Sequence, residues 1–426
     1  MTGDRVAVVG ACAAGLAAAE ALRRHGWRGE VSLIGAEPHL PYDRPPLSKQ
    51  LLSGAWGPER TRLRGPEQLA ELGLDLRLGT TAVSLDARAG RLTLSDGTEL
   101  ECSGVIAATG LVARVLPGSA GVTGVRSLRG LDDALTLREE LRTPRRRVVV
   151  IGNGVLGSEI AAVIRELGHE VALVGPARTP MEHSLGPCVG ALLAQVHTAK
   201  GVVLYGGRRV EHLGTAADVV RSVHLDDGTE LPADLVLTAT GSTPATDWLA
   251  GTDGIDLTDG LGCDAYCAAA PNLYAAGDVA RWHHPVYGRD LRVEHRMNAT
   301  EQGIAAARNL LATLLPRPGP TAAEFAPVPY FWTDQYDVRV QAYGLLSPAG
   351  HLHTEVFRGD RLGAATLHGA DGLATGVVAA NLPPRTVRAL RAVVARPVPW
   401  GKAVDDFKSA LDQFETCGPH HRGGGT

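Results

Sequence analysis

Glycines at two places in this chain stand at the spacing that lets a backbone approach a pyrophosphate. The first group opens Gly10-Ala11-Cys12-Ala13-Ala14-Gly15, and the second reads Gly152-Asn153-Gly154-Val155-Leu156-Gly157. Each follows an apolar run, at residues 6–9 and 148–151, and leads into an Ala-rich helical pattern. A tight turn between strand and helix lets phosphate charge sit at the positive end of the helix. One Gly-x-Gly-x-x-Gly is a weak signal, but two in this context imply two nucleotides bound face to face. That pairing points to hydride transfer from a nicotinamide to a flavin. The middle glycine of the first turn is replaced by Cys12, whose side chain is small enough for a close phosphate approach. Glu37, near the end of the second strand, is placed to hold the adenosine ribose hydroxyls.

The second half is expected to choose the coenzyme. After its second strand, the position for an acid that binds the ribose 2′-hydroxyl is Gly175, and no carboxylate follows until Glu182. Arg178 is nearby and could meet a 2′-phosphate, which tilts the expectation toward NADPH or dual use over NADH.

The elements that must position these residues occur twice in the same order. The first strand–turn–helix–strand unit spans residues 6–34, and strand-rich residues 74–100 follow with a turn at Asp96-Gly97. That half ends at Val105-Ile106-Ala107-Ala108-Thr109-Gly110. The second unit starts at Arg147, turns at Asp227-Gly228 and ends at Val236-Leu237-Thr238-Ala239-Thr240-Gly241. The duplication reads as a nucleotide domain inserted within another. The chain then reaches Leu273-Tyr274-Ala275-Ala276-Gly277-Asp278 and a helix over about 298–315. A Pro-rich linker at 316–320 precedes a small α+β domain with strands at 338–343 and 373–380. Expected boundaries are 1–116 with 243–320 for the flavin half, 117–242 for the nicotinamide half, 321–412 for the last domain and 413–426 for a disordered tail.

Composition agrees with an enzyme of this kind. The chain has 426 residues with 52 glycines, 44% hydrophobic residues and a formal net charge of -4. Nothing here favours nucleic acid as a partner, and no apolar stretch approaches a membrane span. Without a recognisable signal peptide, the expected location is cytoplasmic. The cysteines at 12, 102, 188, 263, 267 and 417 are scattered, so unpaired thiols and no metal site are expected.

The segment Pro41-Tyr42-Asp43-Arg44-Pro45-Pro46-Leu47-Ser48-Lys49 is the most specific in the chain. Together with both fingerprints, Ala276-Gly277-Asp278 and Arg292-Val293-Glu294-His295, it resembles bacterial FAD-dependent ferredoxin reductases. Those enzymes serve haem monooxygenases and ring-hydroxylating dioxygenases; apoptosis-inducing factor is a more distant likeness. The resemblance covers about residues 5–345. It implies an α/β, glutathione-reductase-like architecture of two Rossmann-type nucleotide domains plus a smaller C-terminal α+β domain. It also implies FAD, NADH or NADPH, and a ferredoxin partner leading to an oxygenase, in a monomer or homodimer.

Residue roles follow from the same likeness. Arg44 would neutralise FAD phosphate, Asp278 would hold a ribitol hydroxyl, and Lys49 would sit near flavin N5 with Glu159 as its partner. Trp332, in Tyr330-Phe331-Trp332-Thr333-Asp334-Gln335, would line the flavin or the electron exit. Gly10, Cys12, Ala14, Gly15, Glu37, Ala108, Thr109, Gly110, Arg114, Gly277, Glu294, His295 and Arg296 complete the expected FAD set. Gly152, Gly154, Val155, Leu156, Gly157, Glu159, Gly175, Arg178, Thr240 and Gly241 form the nicotinamide set.

Two departures matter. Disulfide reductases of the wider superfamily carry a Cys pair soon after the first helix, whereas this chain has no cysteine between Gly15 and Cys102. A dithiol route is excluded, so electrons would leave the flavin directly. The related reductases usually carry Trp after Glu-His, where this chain has Arg296, a permanent cation that would raise the flavin potential or admit an anionic substrate. Two other readings stay open: a carrier-independent flavin oxidoreductase acting on a small molecule or oxygen, and a redox-sensing nucleotide-binding regulator.

Overall fold

The computed structural model describes residues 4–316, 319–347, 349–358 and 362–415. Its first sheet runs Ala268–Ala270, Leu273–Ala275, Gly104–Ala107, Arg5–Val9, Glu30–Gly35 and Asp75–Leu78 in spatial order. Strand Arg5–Val9 pairs in parallel with both Glu30–Gly35 and Gly104–Ala107, so the strand order reverses beside it. Ligands of open α/β sheets bind at such a reversal, outside the carboxyl ends of the strands. Residues 6–9 of the first strand and 104–107 beside it are buried, apolar runs because both faces of the sheet are covered there. Helix Ala13–Arg24 lies directly against helix Arg296–Leu314. Gly303 makes that contact possible, since a Cβ there would come 2.3 Å from the Ala14 carbonyl oxygen.

The second half repeats the plan with Val203–Gly206, Glu170–Gly175, Arg147–Ile151, Leu235–Thr238 and Val125–Ser127 in order. Each half carries an antiparallel three-stranded sheet, Ala82–Asp86 to Glu99–Glu101 in one and Val210–Ala216 to Glu230–Pro232 in the other. The short strands Leu111–Ala113 and Ser242–Pro244 pair antiparallel where the chain leaves the first half and returns to it.

The remaining region is an antiparallel sheet in the order Tyr330–Gln335, Val338–Gly344, Leu373–Ala380, Leu362–Ala370 and His351–Arg358. Helices Pro384–Val393 and Trp400–Glu415 pack on it through Val387, Leu390, Phe407 and Leu411. The expected strands at 338–343 and 373–380 are present. Strand Leu362–Ala370 was not foreseen because Gly363-Ala364-Ala365-Thr366 has no period-2 contrast where both faces are buried. Helix Arg296–Leu314 starts two residues before the expected position. The last helix extends through Glu415, so the expected tail at 413 begins inside it; its remainder lies outside the described residues. Among the described residues no helix is long and apolar enough to cross a membrane, and no group of three or more His, Cys, Asp or Glu could hold a metal ion.

Candidate active site

Four of the fingerprint glycines serve packing. A Cβ at Gly10 would lie 2.1 Å from the Ala108 carbonyl oxygen, and one at Gly15 would lie 1.9 Å from the Gly10 carbonyl oxygen. Gly152 and Gly157 repeat this, with 2.1 Å to the Ala239 oxygen and 1.7 Å to the Gly152 oxygen. Gly154 differs, because a Cβ there would meet nothing within 4 Å. Its missing side chain leaves room at the helix N-terminus for a ligand. Cys12 holds the corresponding place in the first turn, and its thiol donates to the Ala108 carbonyl oxygen at 3.1 Å.

Both turns open into a single cavity of about 650 Å³. Cys12, Ala13 and Ala14 line one wall, and Gly154, Val155 and Leu156 another. Arg44, Lys49, Ala108, Thr109, Gly110, Glu159, Gly241, Gly277, Asp278, Glu294, His295, Arg296 and Trp332 also line it. Gly10, Gly15, Gly152 and Gly157 stand behind this lining as packing residues. Glu37, Arg114, Gly175, Arg178 and Thr240 are off it. Arg114 is exposed, and only its backbone N–H reaches inward, donating to the Gly241 oxygen at 3.0 Å.

At the cavity floor three parts of the chain meet on one carboxylate. Lys49 Nζ donates to Glu159 Oε2 at 2.6 Å and Ser48 Oγ donates to the same oxygen at 2.7 Å. Thr333 Oγ1 donates to Glu159 Oε1 at 2.8 Å. The Lys49 and Glu159 side chains are only 14% and 6% exposed, so pairing and hydrogen bonding offset the cost of burying both charges. Behind Thr333 the polar chain continues, with Gln335 Nε2 donating to Thr333 Oγ1 at 3.2 Å and His197 Nε2 lying 2.8 Å from Gln335 Oε1. Lys49 ends a short turn over Pro45–Ser48, Glu159 sits in helix Val155–Glu166, and Thr333 lies on strand Tyr330–Gln335.

The opposite end is cationic. Arg44 Nη2 donates to Glu37 Oε1 at 2.8 Å and Tyr42 Oη donates to Glu37 Oε2 at 2.6 Å. Burial pushes the Glu37 carboxyl upward, but Arg44 and the hydrogen bonds from Tyr42 and the Leu131 N–H outweigh it and hold the group below its ordinary value. Arg129 lines the cavity 3.9 Å from Asp278. Burial and the neighbouring Glu294 raise the Asp278 carboxyl, against the pull of Arg129, Arg44 and Arg292. Arg296 forms an ion pair with Asp43 and donates to Thr300 Oγ1, so its charge is compensated at the cavity wall. His295 packs against Phe331 with ring centres 5.4 Å apart, and burial pushes its imidazole down to about 4. Trp332 stacks on Tyr330 at 5.7 Å.

Sequence reasoning missed Ser48, Thr333, Arg129 and Asp43. Ser48 and Asp43 fall within the quoted specific segment, which offered a local signal. Thr333 likewise follows Trp332 in a quoted segment, whereas Arg129 carries no local signal because it reaches the site only through chain packing.

Two nucleotide-type turns facing a shared cavity, with a lysine–carboxylate pair at its floor, define a nucleotide-dependent oxidoreductase. The chain belongs to the pyridine nucleotide-disulphide oxidoreductase family, which matches residues 4–303, and a reductase C-terminal domain matches residues 330–413. It is 35% identical to the ferredoxin–NAD(+) reductase component of the anthranilate 1,2-dioxygenase system of Burkholderia cepacia, over 97% of this chain and all of that protein. Putidaredoxin reductase of Pseudomonas putida is 35% identical over 80% of each chain. The covalent putidaredoxin reductase–putidaredoxin complex superposes with a TM-score of 0.87 at 29% identity, over 97% of this chain and 100% of the other.

Proposed function

We propose that this chain is an FAD-dependent reductase that takes hydride from NAD(P)H and passes single electrons to a ferredoxin serving an oxygenase. The observation that carries this reading is the one cavity onto which both dinucleotide turns open. Its size falls within the ordinary range of ligand pockets, and Gly154 leaves open space at a helix N-terminus. FAD, when bound, supplies the conversion of a two-electron donor into one-electron delivery. The relatives' roles as ferredoxin reductases of oxygenase systems support the choice of acceptor.

The chain's own residues have separable tasks in this reading. Arg44 and Arg129 would face phosphate, for which a guanidinium fork is well shaped. Asp278 would accept a hydrogen bond from a sugar hydroxyl. Lys49 would present its ammonium where negative charge develops on reduction, with Glu159 holding that ammonium in place. Ser48 and Thr333 would keep the carboxylate from rotating away. Cys12 is the one cysteine of the cavity lining, so these walls offer no dithiol. We place the flavin half at 1–116 with 243–320 and the nicotinamide half at 117–242. A cytoplasmic location is supported by the free thiols of Cys12, Cys102, Cys188, Cys263 and Cys267.

The test is steady-state reduction of cytochrome c by the FAD-loaded protein, with and without a two-iron ferredoxin from its host. Turnover that rises steeply with ferredoxin is expected. Equal turnover without it would favour a carrier-independent oxidoreductase, and negligible turnover in both cases a regulator.

A further inference from the structure

Strand Glu170–Gly175 ends where a dinucleotide fold ordinarily offers a carboxylate to the ribose 2′-hydroxyl. Here the position is closed to any side chain. A Cβ at Gly175 would lie 2.1 Å from Asn153 Oδ1 and 2.7 Å from Asn153 N. Asn153, the variable residue within the second turn, is buried, and its Nδ2 donates to the Ala177 carbonyl oxygen at 2.7 Å. Its amide therefore fills the space of an acidic side chain and ties down the loop that follows. The next carboxylate, Glu182, is turned away onto Thr179, accepting from its N–H and its hydroxyl at 3.0 Å each.

What stands at this edge is positive. Arg178 is exposed and enters no ion pair among the described residues. The neighbouring parallel strand Val203–Gly206 runs into Gly207-Arg208-Arg209. Gly207 N donates to the Ala177 oxygen at 2.9 Å and Arg208 N to the Gly175 oxygen at 3.1 Å, so the two loops are joined. Arg208 pairs with Asp227 at 3.0 Å but remains 45% exposed.

We propose that Arg178 and Arg208 form a 2′-phosphate site and that NADPH is the preferred coenzyme. This rests on the reading of the chain as a nicotinamide-dependent reductase. Two exposed arginines just past the ends of adjacent parallel strands suit a phosphate dianion, which would compete with Asp227 for Arg208 while Arg178 stays available.

Calorimetric titration of the FAD-loaded protein with 2′,5′-ADP and with 5′-AMP tests the site directly. The bisphosphate should bind at least about tenfold more tightly, and the R178A/R208A variant should lose most of that difference. Both arginines are exposed, so this variant should fold. Stopped-flow flavin reduction should give a higher specificity constant for NADPH than for NADH. In N153G/G175D, where the amide side chain is removed and an acid installed, with only the 2.7 Å backbone contact left to relax, the ratio should move toward NADH. Equal affinity for the two adenosine phosphates, or a wild-type preference for NADH, overturns the proposal. Failure of both coenzymes to reduce the flavin would instead defeat the reductase reading, while the titrations would still decide the arginine site.

Discussion

Lys49 and Arg296 are the two cations on the cavity wall whose partners differ most in what they constrain. Lys49 is held 2.6 Å from a nearly buried carboxylate. Lys49→Ala should leave FAD bound and slow flavin reduction at least about tenfold, because charge stabilisation in a dry site is a large contribution. Stopped-flow absorbance measures this, and an unchanged rate would remove Lys49 from the flavin. Arg296 is paired with Asp43, so the wall is close to neutral there and the expected effect of an uncompensated cation is reduced. Arg296→Trp should therefore expose the Asp43 charge and lower the flavin potential, whereas Asp43→Asn should free the cation and raise it. Each shift should be on the order of 1 kcal/mol, about 20 mV for a two-electron couple. Spectroelectrochemistry of the two variants reads the signs, and shifts of the same sign would contradict the pairing.

At the scale of elements, the two turns separate glycines used for packing from a glycine used for a ligand. Gly157→Ala would force a Cβ to 1.7 Å from the Gly152 oxygen and should push helix Val155–Glu166 off its strand, destabilising the fold by about 1–3 kcal/mol or more. Gly154→Ala meets open space and should leave the thermal midpoint unchanged while weakening adenosine-phosphate binding. Scanning calorimetry with ligand titration distinguishes them. The C-terminal sheet adds a pH-dependent contact. His368 on strand Leu362–Ala370 is fully buried, its ring 3.5 Å from the Cβ position of Gly186, and burial pushes its imidazole down to about 4 against the carbonyls of Ser347 and Leu185. The unfolded chain takes this proton near pH 6.5, whereas the folded chain refuses it until about pH 4. Its contribution is thus complete above pH 6.5 and is lost as pH falls through this window. Between pH 7 and pH 5 the loss should be about 2 kcal/mol, and His368→Gln should flatten that part of a denaturant-midpoint profile.

Across the whole molecule, Glu159 is the point where three regions converge. Ser48 and Lys49 come from the first half, Glu159 from the second and Thr333 from the C-terminal sheet. Thr333→Val keeps the shape but leaves a buried carboxylate oxygen short of a donor, which should cost on the order of 1–3 kcal/mol. Flavin reduction should slow in the same variant, and Thr333→Ser should restore both properties. A normal midpoint and a normal rate in Thr333→Val would show that Ser48 and Lys49 alone hold the carboxylate.

The two nucleotide turns and the order of strands around them were legible in the amino-acid sequence itself, and the Lys49–Glu159 pairing only through the family likeness. Turn chemistry is local: glycine is required wherever helix and strand backbones nearly touch, and that requirement is written at fixed spacing. The segment 41–49 was legible in a different way, through its resemblance to the related reductases. The roles of Arg129 and Thr333 were not, because residues far apart in the chain meet only after the halves and the C-terminal sheet pack together. The Arg296–Asp43 pair is of this kind, and it decides whether a cation acts on the cavity with its full charge. Gly175 shows both sides at once: its lack of a carboxylate could be read directly, but the cause, an asparagine amide filling the space, exists only where two parallel strands lie side by side.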